Sequence, residues 1–398
     1  MKIIYLSPHP HVSMHDISGP GVHIREVMHG FQQKGHEVIW ASPNKRLADQ
    51  PVVRKAKSGV LLKKVIKSLL PKIIWESLRD IQLLWIDRQF DRDLQQLIDL
   101  HKPDFIYERV YYLMGCGYRV AKRNNVRYLA EINSPYTIEK PLMSYKSLLA
   151  PLAERNERKQ MEAIDQGFVV ASSLKEFFIQ KYPFTDGKIT VTPNAVRKEF
   201  TEPATAEVMN QARKELALAE GDILVTFVGS IFPYHGVDIL IHAYHDVRKQ
   251  FGNRLKLLIM GDGEILEDLK SLTVKLGIAH EVTFTGKAPS VKVREYLNVT
   301  HIAVLANCNW YSSPIKLFEY GSKRLAIIAP KYPGVEDVMK GDVDGILVDP
   351  DQHSLSKAIK LLVEQPEIRE RYAQSFHQRV KSHYTWDVIA DQILTFAR

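Results

Sequence analysis

Short runs of consecutive apolar residues alternate with longer stretches of helical period along most of the chain. The run Ile3-Ile4-Tyr5-Leu6 predicts a buried strand over 2–6. A polar loop containing Ser18-Gly19-Pro20-Gly21 follows. A helical period then covers 22–34, closed by Gly35, and His36 to Trp40 reads as a second strand. Strand, loop, helix and strand in that order open a doubly wound α/β domain, whose ligands gather at the carboxyl ends of its strands. Gly19 and Gly21 predict a loop that a ligand approaches closely, although the full dinucleotide fingerprint is missing.

Further strands are predicted at Phe105-Ile106-Tyr107, over 127–130, over 168–171 and at Ile189-Thr190-Val191. Helices are predicted over 152–164 and from a Ser172-Ser173 cap to Lys181. Arg109, Glu131 and Asn133 then fall at strand ends, facing the crevice of the Gly19–Gly21 loop. Contact with a substrate and a simple Arg109–Glu131 ion pair both fit that placement. The pattern breaks at Pro193-Asn194 and begins again with an apolar strand over 223–228, followed by Gly229-Ser230, a loop to His235-Gly236 and a helix over 237–249. Strands over 255–260, 282–284 and 302–305 continue the alternation, and helices near 355–364, 366–383 and 386–397 finish it. The organisation repeats while the sequence does not, so two α/β domains are expected, 1–194 and 195–384. The last segment, 385–398, is expected to pack back on the first domain.

One stretch carries a sharper signal: Ser312-Ser313-Pro314-Ile315-Lys316-Leu317-Phe318-Glu319. It predicts a helix with Ser313 as N-cap and Pro314 at the first helical position. The free amides of the first turn fall on Ile315 and Lys316, where the helix dipole favours an anion such as phosphate. Glu319 follows about a turn and a half later, within reach of a sugar hydroxyl. Together these features fit a nucleotide; an ordinary capped core helix fits them equally well.

Pro51 to Trp75 differs from its surroundings. It holds Arg54, Lys55, Lys57, Lys63, Lys64, Lys67 and Lys72 and no acid, with Leu61, Leu62, Val65, Ile66, Leu69, Leu70 and Ile73 at helical spacing. A basic amphipathic helix is the signature of an anionic membrane surface, and also of a packed helix with a solvated lysine face. The whole chain, at 398 residues with 45% hydrophobic and 25% charged positions, has the composition of a soluble globular protein. Its net charge of +8 points to an anionic partner. Nucleic acid fits poorly, because the excess basic charge concentrates in one stretch that carries no recognition motif. The apolar opening stops at Ser7-Pro8, which predicts no signal peptide, and no run is long enough to span a bilayer. The two cysteines, Cys116 and Cys308, match no metal or redox spacing, which suits a cytoplasmic protein, one that 51–75 would place peripherally on the membrane's inner face. Asp342-Val343-Asp344 reads as a solvated turn between Gly341 and Gly345. His9, His11, His15 and His23 lack the ligand spacing of a metal site.

Gly35-His36-Glu37-Val38, Lys188-Ile189-Thr190-Val191 with Pro193-Asn194, Val228-Gly229, Gly261-Asp262-Gly263, Phe284-Thr285-Gly286 and Pro314–Tyr320 occur in an order and spacing that resembles the retaining glycosyltransferases of the GT-B fold, family 4. The resemblance covers nearly the whole chain. It implies an α/β architecture of two Rossmann-like doubly wound domains facing across a cleft, acceptor on the N-terminal one and nucleotide-sugar on the C-terminal one. The donor residues it implies are Gly229, Ser230, His235, Gly261, Lys287, Tyr311, Ser313, Pro314, Ile315, Lys316, Leu317 and Glu319. On the acceptor side it implies Gly19, Gly21 and His23, with Arg109, Glu131 and Asn133 as the catalytic group. The implied activity is hexosyl transfer from a nucleotide diphosphate sugar, a UDP-sugar foremost, to a hydroxyl acceptor, lipid-linked or in cell-surface polysaccharide synthesis, with no cofactor and no metal.

The family's motif has two glutamates separated by seven intervening residues. The second, on the nucleotide ribose, matches Glu319; the first falls on Tyr311, which carries no carboxylate. The usual arginine after Val-Gly is Ser230, and the usual lysine before the next glycine is His235. The helix end, Lys316 and a protonated His235 are therefore expected to hold the diphosphate. These departures leave open two alternatives: a nucleotide-sugar-binding subunit without catalysis, and a transferase acting on a soluble small-molecule acceptor.

Overall fold

The computed structural model describes residues 1–16, 19–44, 71–143 and 146–397. The chain divides into two compact units, Met1–Thr192 with Ile389–Arg398, and Pro193–Val388. Most of the basic segment 51–75 lies outside the described residues. Its last four, Lys72 to Trp75, open a 30-residue helix, Lys72–His101, that the apolar pattern of the sequence does not announce.

The first unit holds a six-stranded parallel sheet built from β1 (Lys2–Leu6), β2 (Glu37–Ala41), β3 (Phe105–Arg109), β4 (Arg127–Ile132), β5 (Gln166–Val169) and β6 (Ile189–Val191), in the order β2-β1-β3-β4-β5-β6. Ile3 to Leu6 are wholly buried on both faces, which is why β1 reads as an unbroken apolar run. The order reverses between β1 and β3, the switch point at which such sheets bind ligands. The carboxyl ends of β3 and β4 deliver Arg109 and Glu131 to one edge, in register with each other. The last residues of the chain complete this unit. Lys34 pairs with Asp391 at 2.5 Å, Arg127 donates to the Phe396 carbonyl at 2.7 Å, and the Phe396 ring meets that of Phe168.

The second unit repeats the design with β7 (Ile223–Val228), β8 (Leu255–Met260), β9 (Val282–Gly286), β10 (Ile302–Val304), β11 (Ala326–Pro330) and β12 (Ile346–Val348), all parallel, ordered β12-β11-β10-β7-β8-β9. Side chains alternate between two cores. Val225, Phe227, Leu257, Ile259, Ile302 and Val304 face one, while Leu224, Leu258, Met260, Ala303 and Leu305 face the other. The switch point here lies between β7 and β10, so the loops after Val228 and Val304 are placed to bind.

Three local expectations are corrected. The Ser172–Lys181 helix begins at Ser172 without a side-chain cap. The helix after Pro314 runs Ile315–Ser322, with Pro314 itself outside it at ψ 117°. Asp344 is not solvated: it is fully buried and accepts from the Lys340 amide, Ser375 Oγ and Arg379 Nε at 2.7–2.9 Å. It fastens the turn to the Pro366–His383 helix.

Candidate active site

In the second unit the loop after β7 is held against the loop after β8. The Gly229 amide donates to the Met260 carbonyl at 2.9 Å, and the Ile231 amide to that of Asp262 at 3.0 Å. Both turns need glycine. Gly229 and Gly261 sit at φ +150° and +152°, and a Cβ on Gly261 would lie 1.8 Å from the Gly229 carbonyl oxygen. A Cβ on Gly229 would lie 2.4 Å from Nζ of Lys316. The missing side chain at Gly229 thus leaves room for the ammonium that arrives from the Ile315–Ser322 helix.

Lys316 is the site's main charge. Its Nζ stands 4.7 Å from the centre of the Phe227 ring and has no ion pair among the described residues. Burial pulls its pKa down to about 8, against the opposing pull of Cys308 and Glu319. Among the described residues no backbone carbonyl accepts from the amides of Ile315 or Lys316, whereas the Leu317 amide is taken by the Pro314 carbonyl. An ammonium and two amides at one helix start are suited to an anion.

Ser313 does not cap this helix. Its hydroxyl accepts from the Asn194 amide at 3.1 Å, and Asn194 Nδ2 donates to its carbonyl at 2.5 Å. The Pro193-Asn194 turn is thereby tied to the binding loop. His235 cannot serve as the replacement cation near neutral pH, because burial and the Lys316 charge push its pKa down to about 4. Tyr311 is buried, and its phenol oxygen accepts from Asn309 Nδ2 at 3.0 Å. Lys287, the cation read after Gly286, belongs to the loop that ends β9.

Glu319, expected within reach of a sugar hydroxyl, is buried. Nε and Nη2 of Arg197 both donate to a single oxygen, Oε1, at 2.8 and 2.6 Å. Burial raises the Glu319 pKa and Arg197 opposes the rise. Arg197 also donates to Glu199 at 2.9 Å and to Ser290 at 3.3 Å, so its guanidinium is braced from the Ser290–Leu297 helix. Sequence reading missed Arg197. The one available hint was a cation three residues beyond Pro193-Asn194.

In the first unit four expected residues converge. Glu131, with 2% of its surface exposed, accepts from Tyr5 Oη at 2.9 Å, from Asn133 Nδ2 at 2.5 Å and from Arg109 Nη1, and stands 3.0 Å from His23 Nε2. Burial alone would raise its pKa, but His23 and Arg109 together hold it well below the usual carboxylate range. Tyr5 is the member that the sequence hid, since it reads only as part of an apolar strand. Gly19 faces open space. Gly21 does not: a Cβ there would meet the Asp16 and Ser13 carbonyls at 2.6 and 2.7 Å, so its close approach is to its own loop. The His9 ring packs 4.0 Å from that of Tyr111, and burial with nearby His11 and Arg109 lowers its pKa to about 4. Among the described residues no three His, Cys, Asp or Glu side chains are grouped to hold a metal, and no helix is long and apolar enough to cross a membrane.

Two family profiles match the chain in tandem: glycosyltransferase family 4 over residues 17–200 and glycosyl transferases group 1 over 208–379. An uncharacterized glycosyltransferase of Methanocaldococcus jannaschii is 23% identical over 223 residues, 56% of this chain and 55% of that one. An alpha-D-kanosaminyltransferase of Streptomyces kanamyceticus is 22% identical over 262 residues, 66% of this chain and 67% of that one. The chain spans little more than half the length of the two Methanocaldococcus relatives that it matches, 55% and 58%. The crystal structure of Anabaena HepE in complex with UDP superposes with a TM-score of 0.73 over 99% of each chain at 14% identity, a likeness of fold.

Proposed function

Because the chain belongs to the GT-B-fold glycosyltransferases of family 4 and group 1, we propose that it transfers a sugar, with retention of anomeric configuration, from a nucleoside diphosphate sugar to a hydroxyl acceptor. A UDP-sugar is the donor this reading puts first. The observation that carries it is the unpaired Lys316 ammonium beside Gly229, one helical turn before Glu319. In the proposed reaction the bond from the anomeric carbon to the diphosphate oxygen breaks. A bond to the acceptor oxygen forms on the same face of the sugar. The acceptor's proton passes to the departing diphosphate. Charge builds on the leaving group, where Lys316 and the amides of Ile315 and Lys316 would stabilise it without reorganising. Glu319 would take the ribose hydroxyls. The Arg109, Glu131 and Asn133 cluster, with His23, would position the acceptor. No metal or other cofactor is given a role.

A second reading has its own observation. Tyr311 stands where the family carries a carboxylate, and its phenol is already engaged by Asn309. That favours a nucleotide-sugar-binding subunit without catalysis. Incubation with UDP-sugars, followed by proton NMR of the first-formed product, separates the two. Retained configuration is expected. Inversion overturns the mechanism, and donor binding with neither transfer nor hydrolysis selects the second reading.

A further inference from the structure

The first half of the Lys72–His101 helix is inside out. Its buried positions are Glu76, Ser77, Asp80 and Asp87, at 6%, 6%, 0% and 1% exposure. Its exposed positions include Ile74, Leu78, Ile81 and Trp85, the last three at 48%, 53% and 63%. Those four recur at the spacing of a single helical face. Beyond residue 88 the same helix turns conventional and buries Phe90, Leu94 and Ile98.

The inward acids are fixed by their partners. Asp87 accepts from the amides of Gly115 and Cys116 at 2.8 Å each and pairs with Arg119 at 2.9 Å; Asp80 pairs with Lys140; Glu76 pairs with Arg79 at 3.0 Å. Rotating the helix to hide its apolar stripe would break the contacts of Asp87 and Asp80, which reach outside the helix, whereas the Glu76–Arg79 pair lies within it. The stripe therefore stays outside for reasons internal to this unit. It is wider than one helix, because the exposed Leu152 of the Ala150–Ala163 helix borders the same cavity as Ile81 and Trp85. Ile81, Trp85 and Leu152 line a cavity of about 610 Å³ together with Arg88, Arg155 and Lys159. These three cations are exposed and make no ion pair among the described residues. A contiguous apolar patch of this kind marks a docking surface.

We propose that this face rests on the surface of an anionic lipid bilayer. Charge decides the occupant. The acids of the helix's first half point inward, the cations rim the patch, and the apolar side chains between them include a tryptophan, the arrangement that an acidic headgroup layer over hydrocarbon accepts. A second copy of the chain would bring the same cations opposite one another. The inference goes beyond the donor reading and does not depend on it.

The test uses the full chain with vesicles of phosphatidylcholine alone and with added phosphatidylglycerol. Binding is expected on the acidic vesicles only, weakening as salt screens it. Acyl-chain-brominated lipid is expected to quench a tryptophan signal that disappears in Trp85→Phe. Arg88→Gln, Arg155→Gln and Lys159→Gln are each expected to weaken binding about fivefold. The triple change Leu78→Ser, Ile81→Ser, Trp85→Ser is expected to weaken it on the order of a hundredfold, with an unchanged melting curve because all three side chains are already exposed. Absence of wild-type binding to acidic vesicles overturns the proposal, as does undiminished binding by the triple variant. A concentration-dependent dimer that shields Trp85 without lipid also overturns it, and assigns the face to a second copy.

Discussion

Glu319→Gln is the substitution that most directly tests the donor site, and the structure sets two separate magnitudes for it. The first concerns the fold. Arg197 gives two charge-assisted hydrogen bonds, at 2.8 and 2.6 Å, to Oε1 of a carboxylate whose side chain is 8% exposed. Breaking a buried pair by removing one partner costs roughly 3–5 kcal/mol when the other charge is stranded. Here it is not stranded, because Glu199 and Ser290 still hold the guanidinium, and the amide of glutamine still offers Arg197 an oxygen. A loss of about 2 kcal/mol is therefore expected, worth roughly 4–8 °C in Tm for a unit of this size. The second magnitude concerns the ligand. Because Arg197 uses only Oε1, the carboxylate keeps Oε2 for ribose hydroxyls. Losing charged hydrogen bonds there costs on the order of 2–4 kcal/mol, or roughly 30- to 1,000-fold in Kd. Thermal unfolding without ligand and calorimetric titration with UDP read the two effects independently. A variant that melts several degrees lower yet binds UDP as tightly as wild type would refute the reasoning, because Glu319 would then be a structural partner of Arg197 alone.

Lys316→Met is expected to weaken UDP binding by about one to two orders of magnitude. In the wild type, affinity should hold below pH 8 and fall as pH rises through the Lys316 pKa of about 8, since only the ammonium attracts phosphate. An affinity unchanged up to pH 9.5 by calorimetry would exclude the lysine from the site. Gly261→Ala should destabilise the second unit by about 2–4 kcal/mol in urea titration, because its methyl group would overlap the Gly229 carbonyl at a positive φ. The same change at Gly19, which faces open space, should stay within about 0.5 kcal/mol. Glu131→Gln should cost the first unit roughly 3–5 kcal/mol at pH 7 by leaving Arg109 and His23 without their carboxylate. The Glu131 pKa is depressed in the fold, so its contribution is complete above its unfolded value near 4.5 and is lost as pH falls toward the folded one. Wild type and variant should therefore converge in stability under strongly acidic conditions, and a gap that stays constant would contradict the assignment.

What the sequence determined by itself is local. Apolar runs such as Ile3–Leu6 and Ile223–Val228 read as strands, because they are shorter than a typical helix and so continuous a run suits a parallel sheet covered on both faces. The glycines after β7 and β8 and the residues Ile315 to Glu319 were visible as turn and helix-start chemistry. Arg109, Glu131 and Asn133 could be placed at strand ends for the same reason, since strand period and direction alone put them there.

What the tertiary structure decided is which group each polar side chain meets. Ser313 looked like a cap, but a residue 119 positions away supplies the amide that takes its hydroxyl. Glu319 looked accessible, but Arg197, 122 positions distant, binds one of its oxygens and accompanies its burial. His235 looked chargeable, and the neighbouring Lys316 together with burial keeps it neutral. The inside-out helix is the clearest case. Its residue pattern suggests acids toward water and apolar side chains toward a core, yet Lys140, Arg119 and the amides of Gly115 and Cys116 turn the acids inward. Local propensity and period act over a few residues, whereas the cost of burying a charge depends on partners that only the folded chain brings within about 3 Å.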